Sequence, residues 1–195
     1  AFLTYNTATI AHLFDLQTQK DLAFCSVYPN WQPKLESLKY LIVKYVQSEL
    51  EKLSPRRVFA GDLNTRPGSP VQLLLNGAVV SVEQADQLCE AYVEETKDSK
   101  AEWMKFQEIF DEIGLESYEN VFKQYKKKAI TKINGVEIAT APKTTKTCVF
   151  EDCLDYIYTK GFKIKYVDDC EFEGILPNAN CVSDHMYIGC GLNYE

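Results

Sequence analysis

Apolar positions along the chain recur with two periods, and the change from one to the other marks out the elements. Between Thr9 and Val27 two β-rich runs, Ile10 to Leu16 and Leu22 to Val27, flank the polar Gln17-Thr18-Gln19-Lys20-Asp21. That pattern predicts a hairpin. Pro33 then stands where a first helical turn tolerates it. Leu38, Ile42, Val46, Leu50 and Leu53 follow at helical spacing, which predicts an amphipathic helix over residues 33 to 53 lying on a sheet. Arg57-Val58-Phe59-Ala60 reads as a short buried strand running into Gly61-Asp62-Leu63-Asn64, and a short helix is expected from Pro70 to Leu75, stopped by Asn76-Gly77.

Residues 82 to 113 are charged and helix-favouring, with Leu88, Tyr92, Trp103, Phe106, Ile109 and Phe110 as expected core contacts. Residues 125 to 147 read as a lysine-rich loop holding one short strand, Ile133 to Ile138. The end of the chain is strand-rich, at Cys153 to Tyr158, Phe162 to Val167 and Met186 to Gly191. Strands alternating with helices imply a mixed α/β layer structure. With no internal repeat and no linker-like shift in composition, residues 1–195 read as one domain or a portion of one.

Composition narrows the function more than the fold. At 46% hydrophobic and 25% charged the 195 residues suit an ordinary globular domain. No apolar run approaches the ~20 residues of a membrane-spanning helix. The chain opens Ala1-Phe2-Leu3 without an initiator methionine or a basic n-region, and is read as a processed or excised segment. Net charge is −7 (21 Lys and Arg against 28 Asp and Glu), and the arginines are Arg56, Arg57 and Arg66. A protein that neutralises many backbone phosphates is usually basic, so extended duplex binding is disfavoured. The run Lys126-Lys127-Lys128 is read as a solvated face. Seven cysteines (25, 89, 148, 153, 170, 181, 190) form no Cys-x-x-Cys pair. A zinc site is therefore disfavoured, and the cysteines read as small buried hydrophobes in a reducing intracellular compartment.

Three polar clusters stand at the ends of apolar runs. In Gly61-Asp62-Leu63-Asn64 an extended backbone points Asp62 and Asn64 the same way. A carboxylate beside an amide suits phosphodiester hydrolysis: the acid takes a proton from water and the amide holds that water or a phosphate oxygen. The competing reading of this cluster alone is an Asx turn. Asp155, in Leu154-Asp155-Tyr156-Ile157, is an acid within an apolar strand and needs a partner. Ser183-Asp184-His185 offers one, since an Asp155 bond to the imidazole would orient His185 and favour its cation.

In their order, Gly-Asp-x-Asn, Leu-Asp-Tyr-Ile and Ser-Asp-His resemble the signature of the endonuclease/exonuclease/phosphatase superfamily. The stretch Asn64-Thr65-Arg66-Pro67-Gly68-Ser69-Pro70 with Leu73 to Gly77, Thr147 to Phe150 ahead of Cys153-Leu154-Asp155, and Leu176-Pro177 resemble its deadenylase/nocturnin-like branch. The similarity runs from about Thr9 to Leu192. It implies a four-layer αββα sandwich, incomplete at its N-terminus, of α/β (α+β) class. It also implies a bound Mg2+, with Mn2+ as the alternative. Asp62 would be the water-activating base, Asn64 a phosphate or transition-state contact, and His185 the phosphate-stabilising group oriented by Asp155. Asp184, with Asp62, would sit at the metal.

Two departures accompany the resemblance. The family's first part, with its asparagine and principal glutamate ligand, has no counterpart, so the missing half or a partner chain is expected to supply it. Aligned on Trp31 and Pro33, the branch's Thr-His falls on Val27 and Tyr28. Tyr28 would then donate a hydrogen bond to phosphate without a histidine's charge. His12 is read as structural. Two functions follow. One is a metal-dependent phosphodiester hydrolase, a 3′-5′ exoribonuclease or nucleotide phosphodiesterase acting on RNA or a small nucleotide. The other is a catalytically inactive domain kept as a structural subunit of a larger assembly. Retention of Asp62, Asn64, Asp155, Asp184 and His185 places the enzyme first.

Overall fold

A computed structural model describes residues 6–77, 80, 82–97, 99–111, 117–126, 128–133, 136–140, 143–169 and 174–195. The chain begins with β1 (Thr7–Asp15) and β2 (Lys20–Tyr28), then a 3-10 turn (Pro33–Leu35) leads into α1 (Glu36–Leu53) and β3 (Arg57–Asp62). Three helices follow: α2 (Pro70–Leu75), α3 (Val82–Thr96) and α4 (Lys100–Asp111). Short pieces come next, β4 (Glu119–Asn120), β5 (Ala129–Ile133), β6 (Val136–Thr140), β7 (Thr145–Lys146) and β8 (Glu151–Asp152). The chain ends in β9 (Asp155–Lys160), β10 (Phe162–Val167) and β11 (Cys190–Tyr194).

The predicted hairpin forms, β1 against β2 from Thr7↔Tyr28 to Asp15↔Lys20. β2 pairs in parallel with β3, which α1 makes possible by carrying the chain back across one face. β9 then lies antiparallel to β3, and β4 to β9, completing the order β1-β2-β3-β9-β4. Side chains alternate across this sheet. Ala23, Cys25 and Val27 share a face with Phe59, Tyr156 and Tyr158, all of them buried in one core with Val43, Val46 and Leu50 of α1. The opposite face carries Phe24, Ala60 and Ile157, each partly exposed, and ends in Asp62 beside Asp155. β10 and β11 form a separate ribbon, as do β5 with β6 and β7 with β8. A helical layer on a sheet, with the β10–β11 ribbon apart, is the portion of the expected sandwich that these residues build.

Several local expectations shift. The buried stripe of α1 is Leu35 (in the preceding turn), Lys39, Val43, Val46 and Leu50, rotated from Leu38 and Ile42, because α1 packs on α2 and α3 as well as on the sheet. Leu88 and Tyr92 are buried as expected, while the side chains of Trp103, Phe106, Ile109 and Phe110 lie outside the described residues. The loop over 125 to 147 holds three strands, and the last strand falls at Cys190–Tyr194 rather than Met186 to Gly191. Cys25, Cys89 and Cys153 are buried free thiols, but Cys148 is exposed on the turn between β7 and β8, and Cys170 lies outside the described residues.

Two features fix the register that matters later. Tyr158, fully buried, donates its hydroxyl to Gln72 Oε1 of α2 and accepts from Asn76 Nδ2 at 3.0 Å and Asn120 Nδ2 at 3.4 Å. Gly61 holds φ +140°, and a Cβ there would stand 2.0 Å from the Val27 carbonyl oxygen of β2. A side chain at this position meets both steric overlap and a backbone conformation that L-residues avoid. Gly61→Ala is expected to lower unfolding free energy by at least about 1–3 kcal/mol, measured by urea denaturation; an unchanged midpoint would show that β2 and β3 separate easily there.

Candidate active site

The end of β3 and the start of β9 lie side by side, and the ladder pairs Asp62 directly with Asp155. Asp155 is thus the first residue of β9 rather than an acid within it. Two adjacent carboxylates repel unless a positive group lies between or beside them. His185 fills that place. Its Nδ1 lies 2.8 Å from Asp155 Oδ2, and its Nε2 lies 3.8 Å from Asp62 Oδ2, beyond hydrogen-bond reach. The Asp155 bond is the main cause that lifts His185 to a pKa of about 9, against partial burial, with Asp62 and Asp184 assisting. Burial and then Asp155 push Asp62 up to about 6, opposed by the Asn64 N–H, His185 and Lys39.

Asn64 turns the chain away from the strand at φ 49°, a left-handed conformation that asparagine tolerates better than most residues. Its backbone N–H donates to Asp62 Oδ1 at 2.8 Å, fixing the carboxylate, and its side-chain amide donates to the Pro29 carbonyl at 3.0 Å. Lys39, 1% exposed, reaches from α1 to donate to the Asn64 carbonyl at 2.6 Å, with Glu36 Oε2 at 3.7 Å. Glu36 Oε1 in turn accepts from Thr65 Oγ1 at 2.8 Å. A lysine on the inward stripe of an amphipathic helix was the signal in the sequence for this support, and the rotated stripe concealed it.

These groups line a cavity of about 660 Å³. Its lining includes exposed Tyr28, Trp31, Arg66 and Asp184, and half-buried Phe150, Asp62, Asn64 and His185. Tyr28 is 44% exposed and Trp31 65%. The Arg66 guanidinium lies over the Phe150 ring, 5.6 Å from its centroid, with its Nε 3.1 Å from Asp152 Oδ2. The cavity therefore gathers Tyr28, Asp62, Asn64, Asp184 and His185, with Asp155 behind His185. His12 stays outside, exposed on β1 with Nε2 3.3 Å from Asp21 Oδ2.

Asp62, Asp155 and His185 offer ligand atoms that all lie within 4.8 Å of one another, and among the described residues they form the one such group. Because Asp155 Oδ2 and His185 Nδ1 already engage each other, Asp62 is the carboxylate best placed for an ion. A hard divalent cation that keeps most of its waters fits a donor set this sparse. Asp184 faces the same cavity but stands outside the three-residue group.

No protein-family profile and no curated protein matches the sequence. Solved structures do. The human Nocturnin catalytic domain with bound sulfate superposes with a TM-score of 0.57 at 13% identity, over 98% of this chain and 54% of that one. ANGEL2, a 2′,3′-cyclic phosphatase in complex with adenosine-2′,3′-vanadate, gives 0.58 at 13% over 95% and 66%. Humanized D. rerio TDP2 gives 0.54 at 14% over 96% and 61%. The chain thus spans 54% to 66% of the length of these matched structures. An endonuclease/exonuclease/phosphatase from Bacteroides vulgatus matches at 0.51 and 14% identity, over 97% of this chain and 56% of that one. With the sheet, its covering helices and the Asp62–Asp155–His185 corner in place, the chain has the endonuclease/exonuclease/phosphatase fold, and Nocturnin is among the proteins that share it.

Proposed function

We propose that the chain is the C-terminal portion of a metal-dependent phosphodiester hydrolase, acting on RNA 3′ ends or a small nucleotide. The observation that carries this reading is the convergence of Asp62 and His185 on one cavity, with Asp155 bonded to the far side of the ring and the pKa values of Asp62 and His185 both raised. A carboxylate at about 6 is ionised at neutral pH yet basic enough to take a proton from water. An imidazolium that persists to about 9 stabilises the charge that develops on the phosphate oxygens and can protonate the departing oxygen. Asp155 holds the ring through Nδ1 and leaves Nε2 facing the cavity. The Asn64 N–H fixes Asp62, and Tyr28 in the cavity lining would donate to a phosphate oxygen.

Magnesium suits the site, with manganese as the alternative. Asp62 and Asp184 would hold it with waters, and residues of the complementary half or of a partner chain would supply the remainder. Bound there, the ion would contribute Lewis acidity toward a phosphate oxygen. Exposed Trp31 in the cavity lining and the partly exposed second sheet face support a further segment or partner covering this end. The free thiols suit a reducing compartment. No described helix is long and apolar enough to cross a membrane. The second reading, an inactive domain retained as a structural subunit, draws on Tyr28 standing where the resembling branch carries a histidine.

Assay of bis(p-nitrophenyl) phosphate and a 3′-oligoadenylate with magnesium, manganese or chelator separates the two. The hydrolase reading expects metal-dependent turnover, lowered about 10²–10⁴-fold by Asp62→Asn. Absence of turnover in the chain joined to its complementary half would favour the structural subunit.

Proton binding gives a second check. The folded pKa of His185 lies above its ordinary ~6.5, so its bond to Asp155 stabilises the fold fully below that value and ceases to do so as pH rises through about 9. Asp155→Asn is expected to unfold at lower urea than the native chain near pH 6, with the gap narrowing toward pH 10; a constant gap would dissociate the pair from stability. A third check concerns the ion. By carboxyl NMR Asp62 is expected to titrate near 6 without divalent cations, and saturating magnesium should move that midpoint down because a cation favours the carboxylate. An unmoved midpoint would remove Asp62 from the ligand set.

A further inference from the structure

Asp155 and the histidine it orients come from different parts of the chain, and something must hold them in one geometry. His185 lies on the largely exposed segment between β10 and β11; Val182 is 95% exposed and Tyr187 73%. Asp155 opens β9, part of the rigid main sheet. A hydrogen bond between one rigid and one loosely packed element is a weak orienting device by itself, since the ring can swing with its loop.

The connection runs through Thr144 and Thr145, both buried, at 0% and 2% exposure. Thr144 Oγ1 accepts two backbone N–H groups, from Leu154 at 3.0 Å and from Asp155 at 3.1 Å. Its carbonyl accepts the Met186 N–H at 2.7 Å, and its own N–H donates to the Asp152 carbonyl at 3.0 Å. Thr145 pairs by a bridge with His185, and its hydroxyl donates to the Asp184 carbonyl at 2.8 Å. The next residue, Lys146, accepts the Leu176 N–H at 2.7 Å. A strand of two residues, β7, is therefore bonded along both edges, to β8 on one side and to the His185 segment on the other.

We infer that Thr144 and Thr145 are the positioning residues of the Asp155–His185 pair: two adjacent buried threonines that fasten the backbone of the acid and the backbone of the histidine to one short strand. The rigid sheet thereby lends its order to an exposed loop, and Nε2 is held toward Asp62 and the cavity without any packed core around His185. Thr144 acts through the backbone of Asp155 and Met186, and Thr145, which lines the cavity, has its hydroxyl engaged by the Asp184 carbonyl and acts through Asp184 and His185. The hydroxyl of Thr144 is the critical group, because it receives the N–H of Asp155, the first residue of β9, together with that of Leu154 just before it.

The kinetic part of this inference rests on the hydrolase reading, whereas the geometric part does not, and one set of variants tests both. Thr144→Val keeps the shape and removes the acceptor; Thr144→Ser keeps the acceptor. The NMR signature of a hydrogen-bonded His185 Nδ1–H, read on the folded chain, is expected to vanish in Thr144→Val and persist in Thr144→Ser. In the active protein Thr144→Val should lower kcat about 10–100-fold, as small misplacements of reacting groups do, with KM little changed, and Thr144→Ser should recover most of it. Persistence of the Nδ1–H signal in Thr144→Val would overturn the inference, as would a Ser variant that behaves like Val. Should Thr144→Val fail to fold, Thr145→Val, which removes only the bond to Asp184, carries the same test: loss of the signal supports the role, and an unchanged signal refutes it. A chain without hydrolytic activity that still shows these spectral changes would fail the hydrolase reading while leaving the positioning role intact.

Discussion

Two carboxylates face each other across a backbone ladder, Asp62 on β3 and Asp155 on β9, and most of the site answers that repulsion. Left alone, the pair would draw protons and lose one charge at neutral pH. His185 compensates from the open side and Lys39 from below, one through Asp155 and the other through the Asn64 backbone. The compensation is incomplete at Asp62, whose proton affinity stays high. Residual basicity is what a water-activating group requires, and residual negative charge is what attracts a cation. Burial and the neighbouring Asp155 charge together keep Asp62 basic, and in the proposed hydrolase that one property would serve both chemistries.

How much of this could be read from the residues depended on whether the signal was local. The β1–β2 hairpin, α1, β3 and α2 came from period, proline placement and turn chemistry, and each formed within a few residues of its expected bounds. Asp62, Asn64, Asp155 and His185 were legible because a polar residue ending an apolar run asks for a partner. Thr144, Thr145 and Lys39 were not. Their roles arise only when distant segments meet: the threonines sit in a stretch whose lysines suggested a loop, and the burial of Lys39 follows from α1 packing on several sides. Short strands such as β7 and β8 carry too few residues to show a period at all.

The partial span of the chain against its structural counterparts bears on energetics as well as function. A sheet needs both faces covered or one face polar. Here one face is sealed by helices, while Phe24, Ala60 and Ile157 on the other keep some exposure. The active corner lies on that second face, at the end of the strands. A segment or partner covering it would shape the cavity from above and lower the local dielectric, which would strengthen each of the charge interactions described.

The buried hydroxyl of Tyr158 gives the arrangement an unexpected form of insurance. Along β9 side chains alternate, so Asp155, Ile157 and Thr159 point one way and Tyr156, Tyr158 and Lys160 the other. Sliding β9 by a single position would carry the acid into the helix-covered core and strip Tyr158 of Gln72, Asn76 and Asn120 together. An error in strand alignment is therefore punished on the side of the sheet away from the chemistry. The phenol acts as a proofreader for a carboxylate that it never touches, and the accuracy of the active corner is inherited from a polar lock inside the core.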